Sequence, residues 1–298
     1  MDKFQLRHFD YVLPVGTLAA GQRIKALVLN LDSDSSFILR GRAAHCQSVM
    51  PMYAGQVAGL NHLLDRYTGP DEEYLSQDVT RFFNENLFMG QYGSPLPVRP
   101  PMIYPPGGVI VVDAFNDGAN ALNGLELYFR GSKIFAPGVL ECHTYPEKMS
   151  SNPYIYNQLI QALGVSETRP NTVKDIQPDA DFVMRAMTIG SLNPGFRGLS
   201  QYYQVWVTLR DWDGRPYSNL PVHVDACFGA CGSLPNDGSG AMLASLVGPY
   251  HPPLFTPEIY VPATRQLLFD FARNDAYVQG TAAVDIRVAM IGAKVYAL

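Results

Sequence analysis

The sequence predicts an all-β protein made of two tandem β-sandwich or jelly-roll-like units that are related by internal duplication. Three observations lead to this prediction. The composition favours short strands and tight turns, because Gly (26), Pro (23), Tyr (17) and Phe (15) are abundant while only 16% of residues are charged. Segments in which apolar and polar residues alternate recur along the chain. Short motifs also recur in the same order in both halves.

Unit one is predicted to span residues 1–140. A strand is expected at 23–31, and residues 57–66 fit a strand better than a helix, although both patterns are present. A helical insertion is expected near 71–88, where acidic residues occupy the first turn. The prolines before Tyr104 favour an edge strand or the entry to a strand, since proline cannot donate to a central ladder.

A further strand of unit one is expected at 125–130, after a turn at Asn123-Gly124. There Leu125, Leu127 and Phe129 alternate with polar or amphipathic residues.

Unit two is predicted to span residues 141–298, with the boundary between the units inside 137–152. It is expected to open with a short helix near 152–163, because Asn152-Pro153 resembles an N-cap followed by proline at the first helical position. Alternating residues at 203–210 and 285–290 predict strands, and the first of these leads into a turn at Asp213-Gly214.

The repeated motifs follow one another in the same order in both halves. The offset between matched residues grows from 145 to 156 and then to 161, as expected if loops of different length separate equivalent strands. These residues are predicted to form a shared scaffold in which both phenylalanines are buried. Weaker matches pair Tyr67–Gly69 with Trp212–Gly214, and Asn116 with Asn274. The main matched residues are Phe37, Arg40, Ile103, Tyr104, Pro106, Gly131 and Lys133 in unit one, and Phe182, Arg185, Ile259, Tyr260, Pro262, Gly292 and Lys294 in unit two.

The charge of the chain does not favour a nucleic-acid partner. It has 22 basic and 27 acidic residues, a formal net charge of −5, and no basic cluster of the kind that follows phosphates. No stretch approaches the roughly 18 apolar residues of a membrane span, and the N-terminal residues do not resemble a secretory signal. We therefore expect synthesis in the cytoplasm, no membrane span and no nucleic-acid partner.

One group of residues resembles a metal site. His223, Cys227 and Cys231 lie close together in sequence and are weak zinc candidates, although Cys-x3-Cys is looser than the usual spacing. The alternative is a strand ending at Asp225, followed by a glycine-rich turn with small buried thiols. No Gly-x-Ser-x-Gly or His-Glu-x-x-His motif is present. No catalytic residue and no cofactor are therefore predicted.

The repeated motifs resemble segments of virion structural proteins of tailed bacteriophages. The motifs are Asp-x-Asp-Phe-Val-Met-Arg at 179–185, Pro-x-Ile-Tyr-x-Pro at 257–262 and the terminal Gly-x-Lys segments. The resemblance covers Phe37–Phe135 and Asp179–Tyr296. It implies a minor capsid, decoration or head–tail neck protein that lies in the virion and binds other virion proteins and its own copies. It implies no catalytic residues.

Three other functions fit parts of the sequence. A major coat protein of the double jelly-roll kind is similar in size and in its duplication. A carbohydrate- or receptor-binding module predicts exposed aromatic residues, such as Trp206 or Trp212, lining a groove. An enzyme predicts carboxylates or histidines clustered in a pocket.

Overall fold

The computed structural model describes residues 5–46, 63–71, 96–116, 121–136, 149–191, 205–224, 254–274 and 283–297. The chain forms two compact units, Met1–Cys142 and His143–Leu298. The described residues lie almost entirely in antiparallel strands. The predicted all-β, sandwich-like fold is confirmed.

Seven strands are described in unit one. They are β1 (Gln5–Leu18), β2 (Arg23–Asn30), β3 (Ser36–Cys46), β4 (Leu63–Tyr67), β5 (Leu96–Tyr104), β6 (Val109–Asn116) and β7 (Leu122–Phe135). One sheet has the order β1-β7-β3-β5 and the other the order β2-β6-β4. The first sheet therefore places the N-terminal and C-terminal strands of the unit side by side.

Eight strands are described in unit two. They are β8 (Met149–Leu163), β9 (Thr168–Asp175), β10 (Asp181–Ser191), β11 (Val205–Arg210), β12 (Val222–His223), β13 (Ile259–Val261), β14 (Gln266–Arg273) and β15 (Val284–Ala297). One sheet has the order β8-β15-β10-β13 and the other the order β9-β14-β11-β12.

The strand order of unit two is that of an eight-stranded jelly roll. Numbered along the chain, its strands form one sheet in the order 1-8-3-6 and a second in the order 2-7-4-5. Unit one follows the same order, and no equivalent of β12 lies among its described residues. The two units thus share one topology.

The core of each unit forms because residues alternate between the two faces of a strand. In β14, Leu267, Phe269 and Phe271 are fully buried, while the residues between them are partly exposed. In unit one, the core is built the same way from alternate residues of the strands. Its members include Phe9, Tyr11, Leu13, Phe37, Leu39, Ile110, Val112, Leu125, Leu127 and Phe129.

The predicted helix near 152–163 is wrong, because this segment is strand β8. Tyr156 and Ile160 are buried while Ile155 and Leu159 are exposed, an alternation that suits a sheet. Backbone pairing with β15 extends along the whole of β8. Local capping signals at Asn152-Pro153 are worth about 1 kcal/mol, which is less than the pairing and burial of a long strand contribute.

The other predicted strands and turns agree with the structure only in part. The strands expected at 23–31, 125–130, 203–210 and 285–290 correspond to β2, β7, β11 and β15. Asn123-Gly124 is part of β7 instead of a turn, with Gly124 at a φ of 62° near the start of the strand. The chain is a strand from Leu63. Residues 57–62 and the predicted helical insertion, apart from Asp71, lie outside the described residues.

The proline-rich segment before Tyr104 is an edge strand, which is one of the two placements that the prolines predicted. Strand β5 is the last strand of its sheet and pairs only with β3 among the described strands. Pro100 and Pro101 are tolerated there because an edge strand has one side that needs no backbone donors.

Candidate functional site

The Gly-x-Lys motif of unit one places a buried lysine near the end of β7. Lys133 is 5% exposed, and its Nζ donates to Asp32 Oδ2 at 2.5 Å and to Asp34 Oδ1 at 3.2 Å. The ammonium also lies 4.2 Å from the ring centroid of Phe9. Charge-assisted hydrogen bonds and a cation–π contact thus fix the segment between β2 and β3 onto β7. We call this arrangement the lysine clamp.

The lysine clamp recurs in unit two around Lys294, which is also 5% exposed. Its Nζ donates to Asp179 Oδ2 at 2.7 Å and to Gln177 Oε1 at 2.6 Å, and lies 4.4 Å from the ring centroid of Tyr154. The hydrogen bond between Lys294 and Asp179 lowers the pKa of the carboxyl and raises the pKa of the ammonium. Unit two thus replaces one of the two carboxylates with an amide oxygen.

An edge-on aromatic pair lies beside each clamp. The rings of Tyr11 and Phe37 are 4.9 Å apart at 89°, and those of Tyr156 and Phe182 are 4.9 Å apart at 88°. Phe37 is 1% exposed and Phe182 is fully buried, as predicted. The two units therefore use the same aromatic geometry where the first and third strands face the core.

Each tyrosine hydroxyl also binds the backbone of the clamped segment. The amide of Asp32 donates to Tyr11 Oη at 3.0 Å, and the amide of Gln177 donates to Tyr156 Oη at 3.2 Å. Burial raises the pKa of both tyrosines above the ordinary value, so both hydroxyls stay protonated.

The two repeated glycines are required by close packing. A Cβ added to Gly131 would lie 1.9 Å from a backbone oxygen of β3 and 2.8 Å from Phe37 Cζ. A Cβ added to Gly292 would lie 2.0 Å from a backbone oxygen of β10 and 2.9 Å from Phe182 Cζ. No larger residue fits without moving the strand or the buried ring.

The two repeated arginines occupy the unpaired position of a β-bulge. The pairing with the last strand skips Arg40 between Leu39 and Gly41, and skips Arg185 in the same way in unit two. Arg40 Nε donates to Ser132 Oγ at 3.4 Å, and Arg185 Nε lies 2.9 Å from Glu258 Oε1. Both arginines thus bind a neighbouring strand or carboxylate.

A second repeated bulge, which sequence reasoning missed, lies in the edge strands β2 and β9. Ala26 and Asn171 both have a φ of 55°, and their amides donate to Asp113 Oδ1 at 2.9 Å and Asp270 Oδ1 at 2.8 Å. The signal available in the sequence was that Asp113 and Asp270 lie shortly before the matched Asn116 and Asn274. Such bulges interrupt the regular edge of a sheet and hinder pairing with another strand.

Side-chain hydrogen bonds correct the match between Asn116 and Asn274. Asn116 Nδ2 donates to the carbonyl of Leu18 at 3.1 Å, and Arg273 Nη1 donates to the carbonyl of Leu163 at 2.8 Å. Both polar side chains are buried and bind the end of the first strand of their unit. The equivalent of Asn116 is therefore Arg273, which directly precedes the Asn274 that the sequence match selected.

The match around Ile103–Pro106 is also shifted by one residue. Phe37 lies opposite Tyr104 in the sheet, whereas Phe182 lies opposite Val261. Tyr104 thus corresponds to Val261, and not to Tyr260. In a strand, a one-residue shift exchanges the two faces, and the exposure of the matched isoleucines reflects this: Ile103 is 56% exposed and Ile259 is 3% exposed.

The proline match shifts in the same direction. The amide of Gly108 donates to the carbonyl of Pro105 at 3.0 Å, and the amide of Arg265 donates to that of Pro262 at 3.2 Å. Pro262 therefore corresponds to Pro105, and not to Pro106.

The match of Tyr67 with Trp212 is wrong by three residues. Tyr67 lies opposite Val112, and Leu209 lies opposite Phe269. Val112 and Phe269 each directly precede the aspartate that binds a bulge. Tyr67 therefore corresponds to Leu209. The similarity of Tyr67-Thr68-Gly69 to Trp212-Asp213-Gly214 therefore does not reflect a shared position in the fold.

The metal candidates are only partly described. His223 is fully buried in β12 and contacts Trp206 edge-on, with ring centroids 5.0 Å apart. Cys227 and Cys231 lie outside the described residues. Within the described ranges, no three His, Cys, Asp or Glu side chains form a group that could hold a metal ion. Trp206 is only 7% exposed, so its ring is not available to line an open groove.

Unit one contains a buried charged cluster that the sequence did not predict. Arg130 binds Asp10 through Nε at 3.0 Å and Nη2 at 3.1 Å, and His8 Nε2 lies 3.2 Å from the same carboxylate. Burial opposes the charge of Asp10, but Arg130 and His8 outweigh it and hold the pKa of this carboxyl well below its usual range. In unit two, the equivalent pair is Ile155 opposite Ile291.

Comparisons with known proteins place the chain in no family. No known protein family and no curated protein matches the sequence.

In the described part of the chain, no helix has the length and apolarity needed to cross a membrane.

Several solved structures resemble the chain over nearly its whole length, but weakly. PNGase F, a glycosylasparaginase from Flavobacterium meningosepticum, is 10% identical, with 98% of this chain and 96% of that chain covered and a TM-score of 0.20. A turret protein of Sulfolobus turreted icosahedral virus is 9% identical, with coverages of 97% and 99% and a TM-score of 0.17. The major capsid protein of bacteriophage PM2 is 9% identical, with coverages of 98% and 98% and a TM-score of 0.23. Similarity at this level carries no argument about function.

Proposed function

We propose that this chain is a non-enzymatic structural protein of a virus particle, and that it contributes two jelly-roll units to a protein shell. The observation that carries the proposal is the shared strand order of the two units, 1-8-3-6 in one sheet and 2-7-4-5 in the other as far as it is described. Jelly rolls are common in viral coats, and also occur in lectins and cupins.

Internal duplication is part of the proposal. The lysine clamp, the aromatic pair, the packed glycine and both bulges occur at equivalent positions of the two units. Two equivalent contacts are made by different residues, since Arg273 replaces Asn116 and Gln177 replaces Asp32. Retention of a contact after the residue has changed favours common descent over chance similarity of letters.

The described polar residues of the repeated motifs favour a scaffold over a reactive site. Asp32, Asp34 and Asp179 bind the clamp lysines, and Asp113 and Asp270 bind backbone amides of the bulges. These carboxylates already have partners within the fold. Of the two tryptophans expected in a sugar-binding groove, Trp206 is buried and Trp212 is partly buried.

Two jelly rolls in one chain suit a coat protein. Closed oligomers of identical chains are the rule, and a ring of n chains presents 2n similar units. Three chains would supply six jelly-roll units. Six similar units arranged around one axis can cover a surface in a hexagonal array. We therefore favour a double jelly-roll coat protein over the minor capsid, decoration or neck role that the tailed-phage resemblance implies.

The proposal is tested by locating the chain. Mass spectrometry of purified particles from the natural source should detect it in many copies per particle, and it should sediment with the shell after the nucleic acid is removed. Detection at only a few copies would favour a neck or minor capsid role. Complete absence from particles would overturn the proposal.

A further inference from the structure

A buried amine in unit one touches a carboxyl group. Lys133 is 5% exposed, and its Nζ lies 2.5 Å from Asp32 Oδ2. The ring centroids of Phe9, Tyr11 and Phe135 lie within 6.0 Å of the same nitrogen. The side chain of Asp32 is 47% exposed, so a small molecule released at this carboxyl can reach the solvent. The lysine clamp of unit one therefore places a nucleophile in contact with an acceptor.

A second carboxylate holds the same amine. Asp34 Oδ1 lies 3.2 Å and Asp34 Oδ2 lies 3.4 Å from Lys133 Nζ. One carboxylate suffices to balance one ammonium, as in unit two, where Lys294 binds Asp179 and the uncharged Gln177. The additional carboxylate of unit one can accept a proton from the amine while the other carboxyl group is attacked.

A tyrosine hydroxyl donates to the oxygen of the acceptor carboxyl. Tyr11 Oη donates to Asp32 Oδ2 at 3.1 Å and accepts a hydrogen bond from the amide of Asp32 at 3.0 Å. Burial raises the pKa of Tyr11, so the hydroxyl remains a donor. A donor at this place stabilises the negative charge that develops on the carboxyl oxygen when a nucleophile attacks the carbon.

We propose that Lys133 and Asp32 form an intramolecular amide bond in the folded chain, with Asp34 carrying protons between them. Nζ attacks Cγ of Asp32, the N–C bond forms, and Tyr11 stabilises the negative charge on Oδ2. Asp34 carries two protons in succession from Nζ to Oδ1, the Cγ–Oδ1 bond breaks, and water leaves. The ammonium starts with three hydrogens, of which one stays on the amide nitrogen and two leave in the water. The reaction therefore needs no oxidant, reductant or co-reactant.

Contact in the fold is what favours the condensation. In water, an amine and a carboxylic acid remain separate ions. Groups that are held in contact by a folded chain can reach effective molarities of roughly 10⁵–10⁸ M, far above the concentration of water itself. The bond forms once in each chain and acts on no other molecule. It is therefore part of the scaffold, and it does not depend on the proposed shell function.

The test is the intact mass of the denatured full-length chain. The wild-type chain should be lighter than its sequence by the mass of one water molecule. Tandem mass spectrometry of a tryptic digest should find a branched peptide that joins residues 26–40 to residues 131–148. Unit two should form no such bond, because Gln177 takes the place of Asp32 and the hydrogen bond to Asp179 raises the pKa of Lys294, which stays an ammonium.

Three variants identify the reacting groups. Lys133→Arg keeps the positive charge and donors for the carboxylates, but a guanidinium stays protonated and does not attack, so this variant should have the full mass of its sequence. Lys294→Arg is the matched control and should keep the loss of one water. Asp34→Asn should slow formation of the bond by at least about a hundredfold, measured as the bonded fraction at set times after synthesis.

The intact mass also decides against the proposal where it is wrong. A wild-type chain that is folded by circular dichroism and keeps the full mass of its sequence after long incubation overturns the inference. A loss of water that persists in Lys133→Arg overturns it as well, since that water must come from elsewhere in the chain. An Asp34→Asn chain that forms the bond as fast as the wild type overturns the role of Asp34 as proton carrier.

Discussion

Lys294 Nζ lies 2.7 Å from Asp179 Oδ2, in the same position relative to the aromatic pair that Lys133 occupies beside Asp34 in unit one. In both units, the last strand is thereby tied to the segment that leads into the third strand. Because this segment crosses from one sheet to the other, the clamp joins the two sheets of the sandwich.

The clamp lysines are expected to stabilise each unit. Lys133→Met and Lys294→Met keep much of the apolar stem but remove the hydrogen bonds to the carboxylates, so each should lower the melting temperature measured by calorimetry. The control is Lys25→Met at an exposed position, which should change the free energy of unfolding by no more than about 0.5 kcal/mol. If the clamp variants have the same melting temperature as the control, the ion pairs contribute nothing measurable to stability.

The buried phenylalanines should contribute equally to the two cores. Phe37→Ala and Phe182→Ala each remove a fully packed ring and should reduce the free energy of unfolding by about 3–5 kcal/mol. Urea denaturation measures this loss. Ile103→Ala, at a position that is 56% exposed, should cost less than about 1 kcal/mol. Losses below 1 kcal/mol for the phenylalanines would contradict their place in the core.

The sequence was sufficient for the fold class and for several of the strands because both depend on alternation, which is local. It also singled out Phe37, Gly131 and Lys133, because packing leaves little freedom at these positions. It failed on strand register, where one residue separates Tyr104 from a correct match. Register is set by backbone pairing with another strand, and no run of letters contains that information.

The helix predicted near 152–163 failed for a related reason. Its capping signals are local, whereas the pairing of β8 with β15 joins residues more than 100 positions apart in sequence. The Asp10–Arg130 pair was equally hidden, since its two members come from opposite ends of unit one. Only the folded chain brings such residues together.

The packed glycines should tolerate no side chain. Gly131→Ala and Gly292→Ala each place a methyl group against a backbone oxygen and a buried ring, so each should cost at least about 1–3 kcal/mol of unfolding free energy through overpacking. Ser151→Ala, at an exposed position of β8, is a control that should change stability little. Chemical denaturation with two spectroscopic probes checks the loss. An alanine variant as stable as the control would mean that the third strand moves easily.

The buried Asp10 should make stability depend on pH in the acid range. Its pKa is lower in the folded chain than the ordinary value near 3.9, so its contribution to stability is complete above about pH 4 and is lost as pH falls further. Asp10→Asn leaves Arg130 buried without its carboxylate partner and should cost about 3 kcal/mol at pH 6. Urea denaturation at pH 6 and at pH 3 should therefore find a smaller gap between wild type and variant at the lower pH. If the difference in unfolding free energy stays constant or widens on acidification, Asp10 is not held charged by Arg130 and His8. The control is Asp175→Asn, at an exposed strand end, which should differ little from the wild type at either pH.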